Sequence, residues 1–173
     1  MHDRSAFYKQ TEMTSRPKHQ YTEQEAYDRL SALCASAEHC TADIMKKLRE
    51  WGVDDGGQQR IINRLTQERY IADDRYARAF IRDKYRYNKW GRNRLTQELK
   101  LRHIPMAAIC AAMEEIDDEE YNNILTSMLQ KKKKSIKARS NYEMRSKLYR
   151  FAISHGYTMD EIAAVIGELG EDE

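Results

Sequence analysis

The chain has 173 residues, a formal net charge of +2, 40% hydrophobic residues and 34% charged ones. That length suits one domain or a few small modules with a thin core. No apolar run approaches the roughly 18 residues of a membrane span. Two prolines, seven glycines and valines only at positions 53 and 165 leave good helix formers in the majority. Strand-favouring β-branched residues are scarce apart from Ile and Thr, so the expected class is all-α.

Residues 1–21 are polar, carry no helical stripe and lack the apolar segment of a signal peptide, so they are expected to form a mobile tail. Capping-box spacing then recurs along the chain, at Thr22-x-x-Glu25, Asp55-x-x-Gln58, Ser140-x-x-Glu143 and Thr158-x-x-Glu161. Three segments align without gaps: "DIMKKLREWGV" (43–53), "RLTQELKLRHI" (94–104) and "KLYRFAISHGY" (147–157). The shared columns are Ile44/Leu95/Leu148, Leu48/Leu99/Ala152, Gly52/His103/Gly156 and Val53/Ile104/Tyr157. Downstream, Ile62/Met113/Ile166 and Leu65/Ile116/Leu169 keep the register. Six columns in three copies mark an internal repeat.

The middle copy predicts a helix from Asp73 to Asn88, a second over Arg92–Arg102, and a third over 105–116 with Pro105 at its first position. Gly52 and Gly156 stand where a helix ends in a left-handed residue. His103 replaces glycine in the middle copy, which predicts a somewhat different turn there. The expected architecture is an elongated array of three tandem three-helix repeats, at 22–70, 71–116 and 117–169. No repeat can bury its apolar faces alone, so each must pack on the next.

The charge is unevenly spread. Residues 75–102 and residues 131–150 are each net +8, so the remainder is net −14. Arg75, Arg78, Arg82, Arg86 and Lys89 follow steps of 3, 4, 4 and 3, which predicts one cationic stripe opposite the apolar face of Tyr76, Ala77, Phe80 and Ile81. Like charges four apart repel by roughly 0.2–0.5 kcal/mol per pair, so such a stripe suggests a negative partner. With Arg92 and Arg94 it forms the main candidate contact set. Tyr85, Tyr87 and Trp90 are interleaved and suit either base stacking or core packing; Trp51 is expected in the core. Lys131, Lys132, Lys133, Lys134, Lys137 and Arg139 form a second patch, and the lysine run also suits a helix C-terminus. The partner expected is a polyanion or an acidic protein surface.

Enzyme chemistry is not expected. "DDGGQQ" (54–59) lacks the lysine and spacing of a phosphate loop. Asp73–Asp74 and Asp117–Asp118 stand where helices begin, and capping explains them. Cys34, Cys40 and Cys110 form no CxxC and do not cluster with the five histidines, so free thiols in a reducing compartment are expected and a metal site is not.

Residues 70–105, "YIADDRYARAFIRDKYRYNKWGRNRLTQELKLRHIP", resemble the RecX family of recombination regulators. The likeness rests on the acidic pair followed by Tyr76 and Ala77, the basic-aromatic helix, Gly91-x-x-Arg94-Leu95, Glu98-Leu99 and the turn ending in Ile104. It extends more weakly over 22–169 through the repeat. The resemblance implies a non-enzymatic, cofactor-free cytoplasmic protein, expected to be a monomer, that lies in the groove of the RecA–DNA filament and mainly inhibits the recombinase. Lying there, it would oppose subunit addition and obstruct access to the filament. The alternatives are a helical module that binds single- or double-stranded DNA directly, with no recombinase target, and a protein-interaction scaffold whose charges are incidental.

Overall fold

The computed structural model describes residues 21–168; the rest of the expected tail and Leu169 lie outside them. The described residues form helices and no strand. In chain order these are α1 (Glu23–Ser36), α2 (Thr41–Glu50), α3 (Asp55–Gln67), α4 (Asp73–Asn88), α5 (Arg92–Leu101), α6 (Met106–Glu114), α7 (Asp118–Ser135), α8 (Asn141–Ser154) and α9 (Met159–Glu168). They pack three to a repeat. Pro105 is the residue before α6 rather than its first, which suits a side chain with no N–H to offer.

The three aligned turns are the same turn. Gly52, His103 and Gly156 have φ of 73°, 57° and 92°. Their N–H groups donate to Arg49, Lys100 and Ile153 at 3.1, 2.9 and 2.9 Å. The next residue reaches back five: Val53 to Leu48, Ile104 to Leu99 and Tyr157 to Ala152, at 3.1, 3.1 and 3.2 Å. This corrects the expectation of a different turn at His103. The imidazole-bearing residue adopts the glycine conformation, at a cost of roughly 1–2 kcal/mol, because Ile104 must enter the core and is 4% exposed.

Helix starts divide into two kinds. Thr22 and Glu25 exchange both capping bonds (3.3 and 2.9 Å), as do Thr158 and Glu161 (3.2 and 2.8 Å). The spacing at 55–58 misled by one residue. Asp54 caps α3 through Gly57 N at 3.0 Å, and Gln58 donates to the Val53 carbonyl at 2.6 Å. At α8, Ser140 accepts from Glu143 N at 3.2 Å, but Glu143 accepts from Arg139 N at 2.8 Å, so half of that box is displaced.

The second helices of repeats 1 and 2 have no side-chain cap of their own. The following repeat supplies one. Asp73, expected to cap α4, instead accepts from Thr41 N and Oγ at 3.0 and 3.1 Å and so caps α2. At α5, Arg92 N donates to the Tyr121 hydroxyl at 2.9 Å and Asn93 N to the Gly156 carbonyl at 3.0 Å. Gly91 N meets His155 O at 2.8 Å. In repeat 3 the corresponding helix α8 carries its own Ser140 cap. Helix ends whose donors must find acceptors therefore tie each repeat to its neighbour.

Burial follows the aligned columns. Ile44, Leu48, Leu95, Leu99, Leu148 and Ala152 are all buried. One apolar cluster fills repeat 1 from Ala26 and takes in Ile71 at the start of repeat 2, and a second runs through repeats 2 and 3 from Ala77 to Ile166 and takes in Cys40 of repeat 1. Each fully buried Leu or Ile contributes about 1.5–3 kcal/mol. Trp51 lies half-buried at the rim of the first cluster, its ring 5.0 Å from Tyr21, rather than inside it. Because neighbours pack in series, small-angle scattering is expected to give an envelope clearly longer than a sphere of this mass. A compact envelope would contradict serial packing.

Candidate partner-binding surface

The basic block of repeat 2 meets carboxylates of its own chain. Arg75 bonds the Glu38 carboxylate and also donates to the carbonyls of Arg69 and Tyr70 at 3.1 and 3.3 Å. Arg78 pairs with Asp74 at 3.0 Å and with Glu115 at 2.7 Å. Arg86 reaches Glu120 at 2.8 Å, and the Tyr85 hydroxyl donates to the same carboxylate at 2.6 Å. Those two hydrogen bonds hold the Glu120 carboxyl below its ordinary range, and the bonds that Arg86 donates to Glu120 and to the Tyr85 oxygen hold its guanidinium above its own. Only a loose contact, at 3.6 Å, joins Arg82 to Asp83. Lys89, in the left-handed conformation at φ 58°, turns its ammonium back to the Arg86 carbonyl. The predicted stripe is thus divided among repeat 1, α6 and α7.

Arg92 is more enclosed than Arg75, Arg78, Arg82 or Arg86. It pairs with Asp118 at 2.6 Å and Glu161 at 2.9 Å and lies over the Tyr121 ring at 4.2 Å. The Glu161 side chain is 16% exposed. Burial pushes the Tyr121 and Tyr157 phenols well above their usual range, so both stay neutral. Arg92→Ala would leave Glu161 Oε1 without its partner, so a loss of about 1–3 kcal/mol is expected. By thermal melting this is about 2–4 °C per kcal/mol for a chain of this size. An unchanged melting temperature would show that Arg92 does not tie repeat 2 to repeat 3.

Arg94 covers Trp90 at 4.1 Å, and Trp90 packs at 6.1 Å from Phe80. Tyr85 is buried at 3% exposure, whereas Tyr87 is 79% exposed. Of the three interleaved aromatics, Tyr87 alone projects freely.

The second basic block is different. Lys131–Lys134 occupy the last turns of α7, and Lys137 and Arg139 lie in the connector to α8. Among the described residues, the side chains of Lys131, Lys134, Lys137 and Arg139 have no carboxylate within ion-pair distance. Lys132 sits over the Phe151 ring at 4.7 Å.

A groove of about 1010 Å³ runs along α7, with Ile124, Met128 and Phe151 among its apolar residues and Arg86, Lys89, Lys131 and Lys132 among its cations. It brings members of both basic blocks onto one surface, with Asp117, Glu119 and Glu120 nearer the start of α7. A smaller hollow of about 470 Å³ shares Lys132 and Phe151 and adds Ile136, Lys137, Lys147 and Arg150. Sequence reasoning did not single out Lys147, Arg150 or Phe151. The signal was the net +8 of 131–150, which contains both cations.

The described residues contain no group of three or more His, Cys, Asp or Glu arranged to hold a metal ion. Cys34 and Cys40 are buried free thiols, and burial pushes Cys40 up to about 11; Cys110 is exposed. Among the described residues, no helix is long and apolar enough to cross a membrane.

Residues 73–113 match the family model for the second three-helix domain of RecX, and residues 118–166 match the model for its third. The chain is 26% identical over 133 residues to "Regulatory protein RecX" of Clostridium perfringens (strain 13 / Type A), covering 76% of this chain and 62% of that one. The chain therefore spans less than two-thirds of that relative. Similarity to the protein of the same name from Vibrio campbellii is 29% over 140 residues, covering 81% and 88% of the two chains. The crystal structure of RecX from Lactobacillus salivarius superposes with a TM-score of 0.77 at 18% identity, over 86% of this chain and 96% of that one. It shows the same helical-repeat fold. With two consecutive RecX domain models matched across α4 to α9 and relatives of that name on either side, the chain belongs to the RecX family.

Proposed function

We propose that this chain regulates the RecA recombinase by lying in the groove of the RecA–DNA filament, where it opposes subunit addition and obstructs access. In this reading it acts as a non-enzymatic cytoplasmic monomer, without cofactor. Relatives named as regulatory proteins support the non-enzymatic part. The observation that carries the contact surface is the set of cations without an internal ion pair at the end of α7 and in the connector after it, with Lys131 lining the α7 groove and Lys137 the smaller hollow. A cation already bound to an internal carboxylate must give up that bond before it meets an external anion. Among the described residues, Lys131, Lys134, Lys137 and Arg139 have none to give up. They are therefore the primary contact set, with Lys132, Lys133 and Lys89 next in rank and Arg82 and Arg94 after them. Arg75, Arg86 and Arg92 act mainly in joining the repeats, and Arg78 in tying α4 to the end of α6 within repeat 2.

The second reading is direct binding to DNA, favoured by the cations around the half-buried Phe151 ring, which suits base stacking. Inhibition of DNA-dependent ATP hydrolysis by RecA separates the two. A filament regulator inhibits at concentrations too low to cover the DNA, whereas a DNA binder inhibits only as it occupies the strand. Inhibition that tracks DNA coverage would overturn the filament reading.

A further inference from the structure

The two inter-repeat joints are built differently. Between repeats 2 and 3 the apolar core is continuous, with Tyr121 packed 6.2 Å from Tyr85 and 5.3 Å from Tyr157. Backbone bonds Gly91 N–His155 O and Asn93 N–Gly156 O lock the two together, alongside the Arg86–Glu120 and Arg92 ion pairs. Between repeats 1 and 2 the core is interrupted. Of repeat 1, Cys40 and the half-buried Ala42 belong to the second cluster, while the rest of its apolar residues form their own.

What crosses this first joint is largely polar. Asp73 holds Thr41, and Arg75 holds Glu38. Both Arg75 and Glu38 are partly open to water, at 40% and 32% side-chain exposure, so their attraction is screened. Beneath them the joint is imperfectly satisfied. Glu38 Oε2 and His39 Nε2 are buried without a hydrogen-bond partner, an arrangement that costs free energy for as long as the joint stays closed. The connector enters through Arg69, a non-glycine residue at φ 60°. Opening would release that conformation and hydrate the two orphaned atoms.

We propose that repeat 1 is an arm that pivots on residues 69–72 against a rigid body made of repeats 2 and 3, with Asp73–Thr41 and Arg75–Glu38 as the latch. The interrupted core limits what the swing uncovers to Cys40 and Ala42 of repeat 1 and the surface they cover, with Ile71 held in the first cluster at the pivot. The inference concerns the free chain and does not depend on the RecA reading.

The test uses distance distributions between spin labels. Cys110 is exposed, whereas Cys34 and Cys40 are buried, so the native Cys110 takes one label. The second goes on Gln59→Cys in α3 or on Gln130→Cys in α7, both exposed sites. The distribution from Cys110 to position 59 is expected to be at least twice as broad as that from Cys110 to position 130. The latch variant Asp73→Ala/Arg75→Gln is expected to broaden the first further and leave the second unchanged. Equal widths in the parent overturn the proposal, as does a folded latch variant whose two distributions match the parent's. Should the double variant fail to fold, the comparison within the parent still decides.

Discussion

Replacing Gly91 with alanine is expected to loosen the joint between repeats 2 and 3 more than any surface change in the chain. A Cβ at Gly91 would lie 2.4 Å from the carbonyl carbon and oxygen of Gly156 and 2.4 Å from Tyr157 N. These are backbone atoms, so no side-chain rotation relieves the contact. The N-terminus of α5 would have to withdraw, losing the bonds from Gly91 N to His155 and from Asn93 N to Gly156, at 2.8 and 3.0 Å. A loss of about 3 kcal/mol is expected, the upper part of the range for overpacking. That corresponds to about 6–12 °C in melting temperature. Gly156→Ala meets the same obstacle from the other side, 2.4 Å from Arg94 Cβ, and adds the strain of φ +92°. Gly167→Ala is the control. Nothing lies within 4 Å of its Cβ, and inside α9 the change is expected to stabilise by roughly 0.5–1 kcal/mol. A Gly91→Ala protein that melts like the parent would mean that the joint is not as close as described.

The second large effect concerns binding. Lys131, Lys132, Lys134 and Lys137 replaced together with Gln should leave the fold intact: three of them are exposed, where substitutions usually shift stability by less than about 0.5 kcal/mol each, and half-buried Lys132 gives up a contact over Phe151 of about 0.5–1 kcal/mol. Binding to a polyanion should fall on the order of tenfold, and its salt dependence should flatten by about 0.7–0.9 per lysine that meets a phosphate. The sequence alone ranked the middle block first, and the structure gives reason to reverse that order. In the variant Arg78→Gln/Arg82→Gln/Arg86→Gln, Glu115 and Glu120 lose their ion-pair partners, and Glu120 keeps only the Tyr85 hydroxyl. Stability should drop, by roughly 1 kcal/mol, while binding changes less. Titration of both variants against filaments over a salt series, beside their thermal melts, checks this. Equal binding losses with equal stabilities would show that the internal pairs do not decide which cations are free.

Much of this architecture was legible because it is local. The column Leu48/Leu99/Ala152 is a helix face, and Gly52/His103/Gly156 is a turn; both depend on residues within five positions. Asp73–Asn88 is bounded as its periodicity implies. The partners of the arginines were not legible, because they are long-range. Glu38, Glu115 and Glu120 stand 37, 37 and 34 residues from Arg75, Arg78 and Arg86, and Glu161 stands 69 from Arg92. A run of cations in sequence does not reveal which carboxylates the fold will bring to it. The role of Asp73 was hidden for the same reason. Spacing identified a capping residue correctly, but the helix it caps is α2, 32 residues upstream.

The central claim is that this RecX-family chain acts on the RecA filament rather than on bare DNA. It is tested most directly by measuring binding of the purified chain to RecA filaments on single-stranded DNA and to the same DNA without RecA, at physiological salt. The expected result is tight binding to the filament and much weaker binding to the naked strand, with filament affinity reduced on the order of tenfold in the Lys131/Lys132/Lys134/Lys137 variant. Equal affinity for both, or preference for the naked strand, would contradict it.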